Sequence, residues 1–298
     1  MVKLKSELTW SFSRDRLFND CQRAYYYNYY ASWGGWSKDA DEFSRKAYIL
    51  KNMRSVDAWI GDIIHQIIKW VIQNKIIKKD IAFEESKQKA KQLLTKTWEQ
   101  SRSRLWEDNP KYNLNLLEHY YKRDLDRELL RIKLEKVTKS INNFYHSSLF
   151  EELSSLTKEN FLSVEDLDSF DFEGTKVFAI PDFALKSNKY FLYDWKTGKP
   201  SDKDMLQLSC YVLYAIGKWN IFEEDVCVVP VYLNQEEVSF EQVKALSVTE
   251  VKAYMRDSIS KMKEVLTNSS NNIADIQKCF KSKAVWKCKS CKFQEICK

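Results

Sequence analysis

The sequence predicts an α/β or mixed α+β fold, and three observations carry that expectation. A strongly periodic apolar helix precedes a pair of short aromatic and β-branched segments, and two more helices then alternate with one apolar strand. The chain has 298 residues with 44% hydrophobic and 14% aromatic content, enough to bury a large core. Only 6 Gly and 4 Pro occur, with no repeat and no Gly/Ser or Pro-rich linker, so one domain over 1–298 with a helical elaboration fits best.

The first element is an arm over 1–30. Its Ser/Thr-rich start, Thr9 to Ser13, leads into Leu17, Cys21, Tyr25 and Tyr29 at a spacing of four, which predicts a helix from Leu8 to Tyr30 with one aromatic face. From Val56 to Ile72 the residues Ile60, Ile63, Ile64, Ile67, Ile68, Val71 and Ile72 recur at three and four, the signature of a buried amphipathic helix. Residues 80–150 combine dense charge with helical periodicity, as in Leu125, Leu129, Ile132 and Lys136, and predict a helical insertion. The sheet is expected within 160–235. There Lys176–Leu185 and Tyr190–Lys196 form a hairpin about Ser187-Asn188, Met205–Ile216 is a helix and Val226–Tyr232 an apolar strand. Thr249–Leu266 reads as a last amphipathic helix before a cysteine-rich basic tail, 278–298.

Composition excludes some classes of function. No apolar run approaches the roughly 20 residues of a membrane-spanning helix, and Met1 to Glu7 lacks the apolar core of a signal peptide, so a cytoplasmic protein without membrane contact is expected. A net charge of +6, from 48 basic and 42 acidic residues, tilts mildly toward a polyanionic partner. In the tail Lys278, Lys281, Lys283, Lys287, Lys289, Lys292 and Lys298 interleave with Phe280, Trp286 and Phe293, which suits phosphate contact and base stacking or else a solvated tail. Seven unevenly spaced cysteines argue against a secreted disulfide framework and for metal or cluster ligation.

A hairpin centred on Asn188 sets Asp182 opposite Asp194. Opposed like charges are destabilising unless something neutralises them, and a divalent cation would. Alternation brings Lys196 to the same face as Asp194. Two carboxylates and an amine then converge, the equipment for metal-assisted phosphodiester cleavage, although a slipped register would leave ordinary surface charges. Pro181 cannot donate to a ladder and belongs at an edge or bulge. Gly61 and His65 share a helix face, so the glycine marks a close approach beside which an imidazole is presented; the alternative is a hydrogen-bonded core histidine. Gln207 and Tyr211 share a face pointing back to the strand end, either positioning phosphate or water or simply covering the core. Glu165 is a possible further acid.

Cys288, Cys291 and Cys297 form a C-x2-C-x5-C pattern able to wrap one metal centre, with Cys21 the preferred fourth ligand and Cys279 its competitor. Spacing alone leans slightly to zinc. Cys210 and Cys227 lie in apolar runs and read as buried small hydrophobes.

Together, Gly61-xxx-His65, Pro181-Asp182, Asp194-Trp195-Lys196, Gln207-xxx-Tyr211 and the early cysteine with its distant triplet resemble the RecB-like branch of the PD-(D/E)XK nucleases. The likeness is greatest to its iron–sulfur members, the AddB nuclease domain and the CRISPR-associated adaptation nucleases. The resemblance implies a central mixed sheet flanked by helices. It implies that His65, Asp182, Asp194 and the Trp195 carbonyl bind Mg²⁺ or Mn²⁺, that Lys196 is the catalytic lysine, and that Gln207 and Tyr211 support the site and contact DNA. It also implies a [4Fe–4S] cluster on Cys21, Cys288, Cys291 and Cys297, clasping the N- and C-termini and displacing zinc as the preferred reading. Gln22 and Phe183 depart from the family's usual proline and arginine, which puts local DNA contacts in doubt more than the metal.

The expected function is a metal-dependent deoxyribonuclease acting on free ends or single strands in repair, recombination or defence. The alternative is a non-catalytic nucleic-acid-binding subunit stabilised by the cysteine centre. A zinc-stabilised interaction protein without a DNA role is the third reading. No Walker A loop is present, so unwinding would fall to a helicase or another partner protein.

Overall fold

The computed structural model describes residues 6–165 and 168–297, so Met1 to Lys5 and Lys298 lie outside the described residues. The fold is mixed α+β. Strands β1 (Thr9–Ser11), β2 (Phe161–Val164), β3 (Phe170–Phe172), β4 (Thr175–Phe178), β5 (Phe183–Lys186), β6 (Tyr190–Lys196), β7 (Val226–Tyr232), β8 (Leu266–Asn268) and β9 (Ile273–Ala274) are interleaved with helices. The helices are α1 (Phe12–Asp20), α2 (Gln22–Tyr26), α3 (Glu42–Lys51), α4 (Val56–Ile76), α5 (Phe83–Arg102), α6 (Leu117–Tyr120), α7 (Arg127–Tyr145), α8 (Ser148–Ser155), α9 (Asp202–Trp219), α10 (Val248–Glu264) and α11 (Val285–Lys289).

A four-stranded mixed sheet in the order β2-β5-β6-β7 carries the site. Its hairpin holds the register expected from the sequence, Phe183 facing Tyr193 through to Lys186 facing Tyr190. β7 runs parallel to β6 as an edge strand, and this position tolerates Pro230, which has no N–H to donate. Alternation along the strands feeds two cores. Phe183, Tyr193 and Trp195 stack on one face against the isoleucines of α4 and the inner face of α7, while Ala184, Leu192 and Val228 pack against α9 and α10 on the other.

The isoleucine periodicity gives α4 as expected, and Ser55 caps it by accepting from the Ala58 N–H. Two sequence expectations change. The segment Lys176–Leu185 is not one strand. It breaks after Phe178, where β4 ends in a second, three-stranded sheet, and resumes at Phe183, with Pro181 in the gap where a missing N–H costs nothing. Nor is Leu8–Tyr30 one helix: Thr9–Ser11 pairs in parallel with β4, and buried Trp10 donates to Ser258 at 2.9 Å. The helical part is then interrupted at Cys21, which is extended and whose sulfur caps α2 by accepting from the Ala24 N–H. Among the described residues no helix is long and apolar enough to cross a membrane.

Candidate active site

The site lies where β6 ends, between α4 and α9. Asp182 leaves the ladder one residue short of facing Asp194: its N–H donates to the Tyr193 carbonyl (3.1 Å), and its Oδ2 accepts from the Trp195 N–H (2.7 Å). Its Oδ1 turns to His65 Nδ1, 3.3 Å away, and the Glu165 carboxylate stands 3.4 Å from the same nitrogen. The other ring nitrogen, Nε2, is 3.1 Å from the Trp195 carbonyl. A carbonyl only accepts, so Nε2 carries a proton and Nδ1 is the atom turned to the carboxylates.

Three ligand atoms, one each from His65, Glu165 and Asp182, lie within 4.8 Å of one another. Glu165 Oε1 is buried with no hydrogen-bond partner. Glu165 also has φ +47°, a left-handed conformation that costs a side-chain-bearing residue about 1–3 kcal/mol and is found where surroundings impose it. Its N–H donates to the Asp182 carbonyl and its own carbonyl accepts from Lys69 Nζ, so the carboxylate is aimed at His65 from both sides. Oxygen donors with one imidazole suit Mg²⁺ or Mn²⁺, and an orphaned buried oxygen among them fits a cation.

Asp194 sits behind this group with one oxygen, Oδ1, accepting from Tyr211 Oη (2.7 Å) and Gln207 Nε2 (3.0 Å). Its Oδ2 has no aligned hydrogen bond but pairs with Lys196 Nζ at 2.6 Å. Lys196 also donates to Gln207 Oε1 (2.7 Å) and lies 3.5 Å from Asp204, which is held by Tyr232. Sequence reasoning missed Asp204 and Tyr232 and left Glu165 unassigned. The signal for Asp204 was its place three residues before Gln207, on the helix face shared with Tyr211. The expected ligand set is therefore divided by the fold: His65 and Asp182 share a cradle with Glu165, Asp194 is tied to Lys196 and α9, and the Trp195 carbonyl orients the His65 ring.

A Cβ on Gly61 would meet Thr197 Oγ1 at 3.3 Å, which accounts for the glycine: α4 closes on the loop after Lys196 there. A cavity of 600 Å³ opens over Gly61, His65, Glu165, Asp182 and Thr197.

Burial works to lower the His65 pKa, but the carboxylates of Asp182 and Glu165 outweigh it and hold it well above 6.5. Burial, then the Asp182 charge, push Asp194 from 3.8 up to about 6 against the opposing Lys196. Both groups hold protons more tightly folded than unfolded. Metal-free protein is thus expected to lose stability as pH rises from 3.8 through about 6, and again as His65 deprotonates above 6.5. Thermal melts in EDTA across that range check this. Added Mn²⁺ should raise the melting temperature more at the alkaline end, because it replaces the lost protons.

The tail meets the arm. Phe293 is buried against Tyr27, with ring centroids 5.6 Å apart, in a small core shared with Cys21, Cys291 and Cys297. Tyr27 donates to the Ile296 carbonyl, and Arg23 to the Cys279 carbonyl. The Cys291 thiol is raised by burial and, after the Phe293 N–H that lowers it, by the charges of Cys21, Cys297 and Cys288. Cys279 is fully buried in a different cluster. The end of the tail, Cys291 to Cys297, is therefore docked, which removes Phe293 from any stacking role, while the stretch before it stays largely exposed, Phe280 and Trp286 included.

An imidazole and carboxylates at a sheet end, beside a lysine already paired with an acid, are the equipment of the metal-dependent nucleases as a class. The chain belongs to the PD-(D/E)XK nuclease superfamily, whose family model matches residues 9–298. None of the curated proteins compared with it matches. The solved structure of SSO0001 is similar at 19% identity and a TM-score of 0.29, covering 61% of this chain and 91% of that one.

Proposed function

We propose that the protein is a Mg²⁺- or Mn²⁺-dependent deoxyribonuclease of the RecB-like branch, acting on free ends or single strands of DNA in repair, recombination or defence. The observation that carries it is the cradle of His65, Glu165 and Asp182 directly beside the Asp194–Lys196 pair. His65 Nδ1, Asp182 and Glu165 would hold the ion, with Asp194 Oδ2 as a further ligand that the resemblance implies, while the Trp195 carbonyl, also implied as a ligand, instead accepts from Nε2 on the far side of the ring. A bound ion would polarise the phosphoryl oxygen and acidify a water. Lys196 offsets charge developing on the phosphate and orients the attacking water, and Asp194 and Gln207 fix its ammonium. Tyr211 and Gln207 hold Asp194 in turn, and burial keeps the Tyr211 hydroxyl protonated as a donor.

The test is cleavage of end-labelled single-stranded and duplex DNA with Mn²⁺, Mg²⁺ or EDTA, by wild type and Asp182→Ala. Metal-dependent cutting lost in the variant supports the reading. Binding without cutting under every condition would replace it with a non-catalytic nucleic-acid-binding subunit.

The resemblance to iron–sulfur members, together with the electrostatic influence of Cys21, Cys288 and Cys297 on Cys291, supports a [4Fe–4S] cluster that would close the chain on itself. Purified protein should then be brown with about four irons per chain, and Cys291→Ser should lose colour and solubility together. Colourless protein holding one zinc would overturn the cluster and leave the four ligands in place.

A further inference from the structure

A second groove, of 1170 Å³, adjoins the metal cradle, and Arg54, Asp62 and Gln66 line both. Its walls come from α1, from α4 and from the loop around Lys111. Its charges do not cancel. Its two acids are already paired, Asp62 with Arg54 (3.1 Å) and Asp20 with Lys287 (2.7 Å) and Arg16 (3.9 Å), which leaves the groove's three lysines unbalanced. The ammonium groups of Lys51, Lys111 and Lys292 have no carboxylate within 4.0 Å among the described residues, and Lys292 donates instead to the Lys51 carbonyl at 2.6 Å.

Lys292 lies between Cys291 and the buried Phe293, so docking of the cysteine loop carries this lysine inward while Lys283 and Lys289 stay exposed. Like charges held together cost stability unless an anion offsets them. Burial, then Arg14 and Lys111, press the Lys51 pKa down to about 8, as expected of an ammonium lacking an anion. Tyr112, 77% exposed beside Lys111, presents an open ring on the same wall.

We propose that this groove binds one strand of a polynucleotide running past the carboxylate site, with Lys51, Lys111 and Lys292 contacting its phosphates and Tyr112 stacking a base. The assignment rests on the nuclease reading above. Spaced cations and an aromatic platform recognise single strands by backbone charge and stacking, independent of sequence.

The experiment is binding of a fluorescent single-stranded DNA oligonucleotide in EDTA, titrated across salt concentrations, for wild type, Lys51→Ala, Lys111→Ala, Lys292→Met and a control at the exposed Lys244, Lys244→Ala, outside the groove. Each groove variant should weaken binding at all sequences and reduce the slope of log affinity against log salt by about 0.7, one single-strand phosphate contact. The control should leave the slope unchanged. Lys292→Met risks disturbing the tail, so the exposed Lys111 must show the same drop. Wild type that cleaves with Mn²⁺ but gives equal slopes in all variants refutes the groove alone. Wild type that neither binds nor cleaves refutes the nuclease reading itself.

Discussion

Asp194→Asn is expected to give a folded protein whose metal-dependent cleavage falls by about 10³-fold or more, the loss typical of removing a member of a catalytic unit. The fold should survive because an asparagine oxygen can still accept from Tyr211 and Gln207, and Lys196 keeps Asp204 at 3.5 Å. What disappears is the charge that pairs Lys196 at 2.6 Å and stands beside the metal cradle. Single-turnover cleavage with Mn²⁺, alongside melting curves in EDTA, separates the two effects. In those curves the variant should lack the stability loss that wild type shows between pH 3.8 and about 6, since the group that titrates there is gone. Wild-type rates in this variant would remove Asp194 from the reaction.

Phe293→Ala is expected to cost about 3–5 kcal/mol, the range for deleting a fully buried aromatic ring. The ring is 1% exposed and lies under Tyr27 among Ala47, Leu50 and Met53. The loss should reach beyond the tail. The same loop carries Cys291 and Cys297, and it is tied to the remainder of the molecule by Tyr121 to the Lys292 carbonyl and by Lys46 to Glu295. Urea melts should therefore move as one transition, bound metal should fall, and the Lys292 contact with the groove should go with it. An unchanged midpoint with only the tail becoming protease-sensitive would show that the tail folds as a separate unit.

Much of this molecule was legible along the chain because the relevant physics is local. The spacing of isoleucines fixes α4 without reference to any partner, and the short turn at Ser187-Asn188 fixes the pairing of β5 with β6. From those two elements follow the types and the neighbourhood of His65, Asp182, Asp194 and Lys196, and the C-x2-C-x5-C run is itself a local pattern. Tertiary structure decided what depends on distant groups. Which His65 nitrogen faces the carboxylates is set by a carbonyl 130 residues away. Glu165 joins the cradle because β2 pairs with β5, a contact that no periodicity encodes. The helix break at Cys21, the strand break at Pro181 and the inward turn of Lys292 are likewise local preferences overruled by burial of Trp10, by the two-sheet arrangement and by docking of Phe293. Which residues could do chemistry is a matter of local sequence; which of their atoms meet is set by long-range packing, where most of the burial free energy lies.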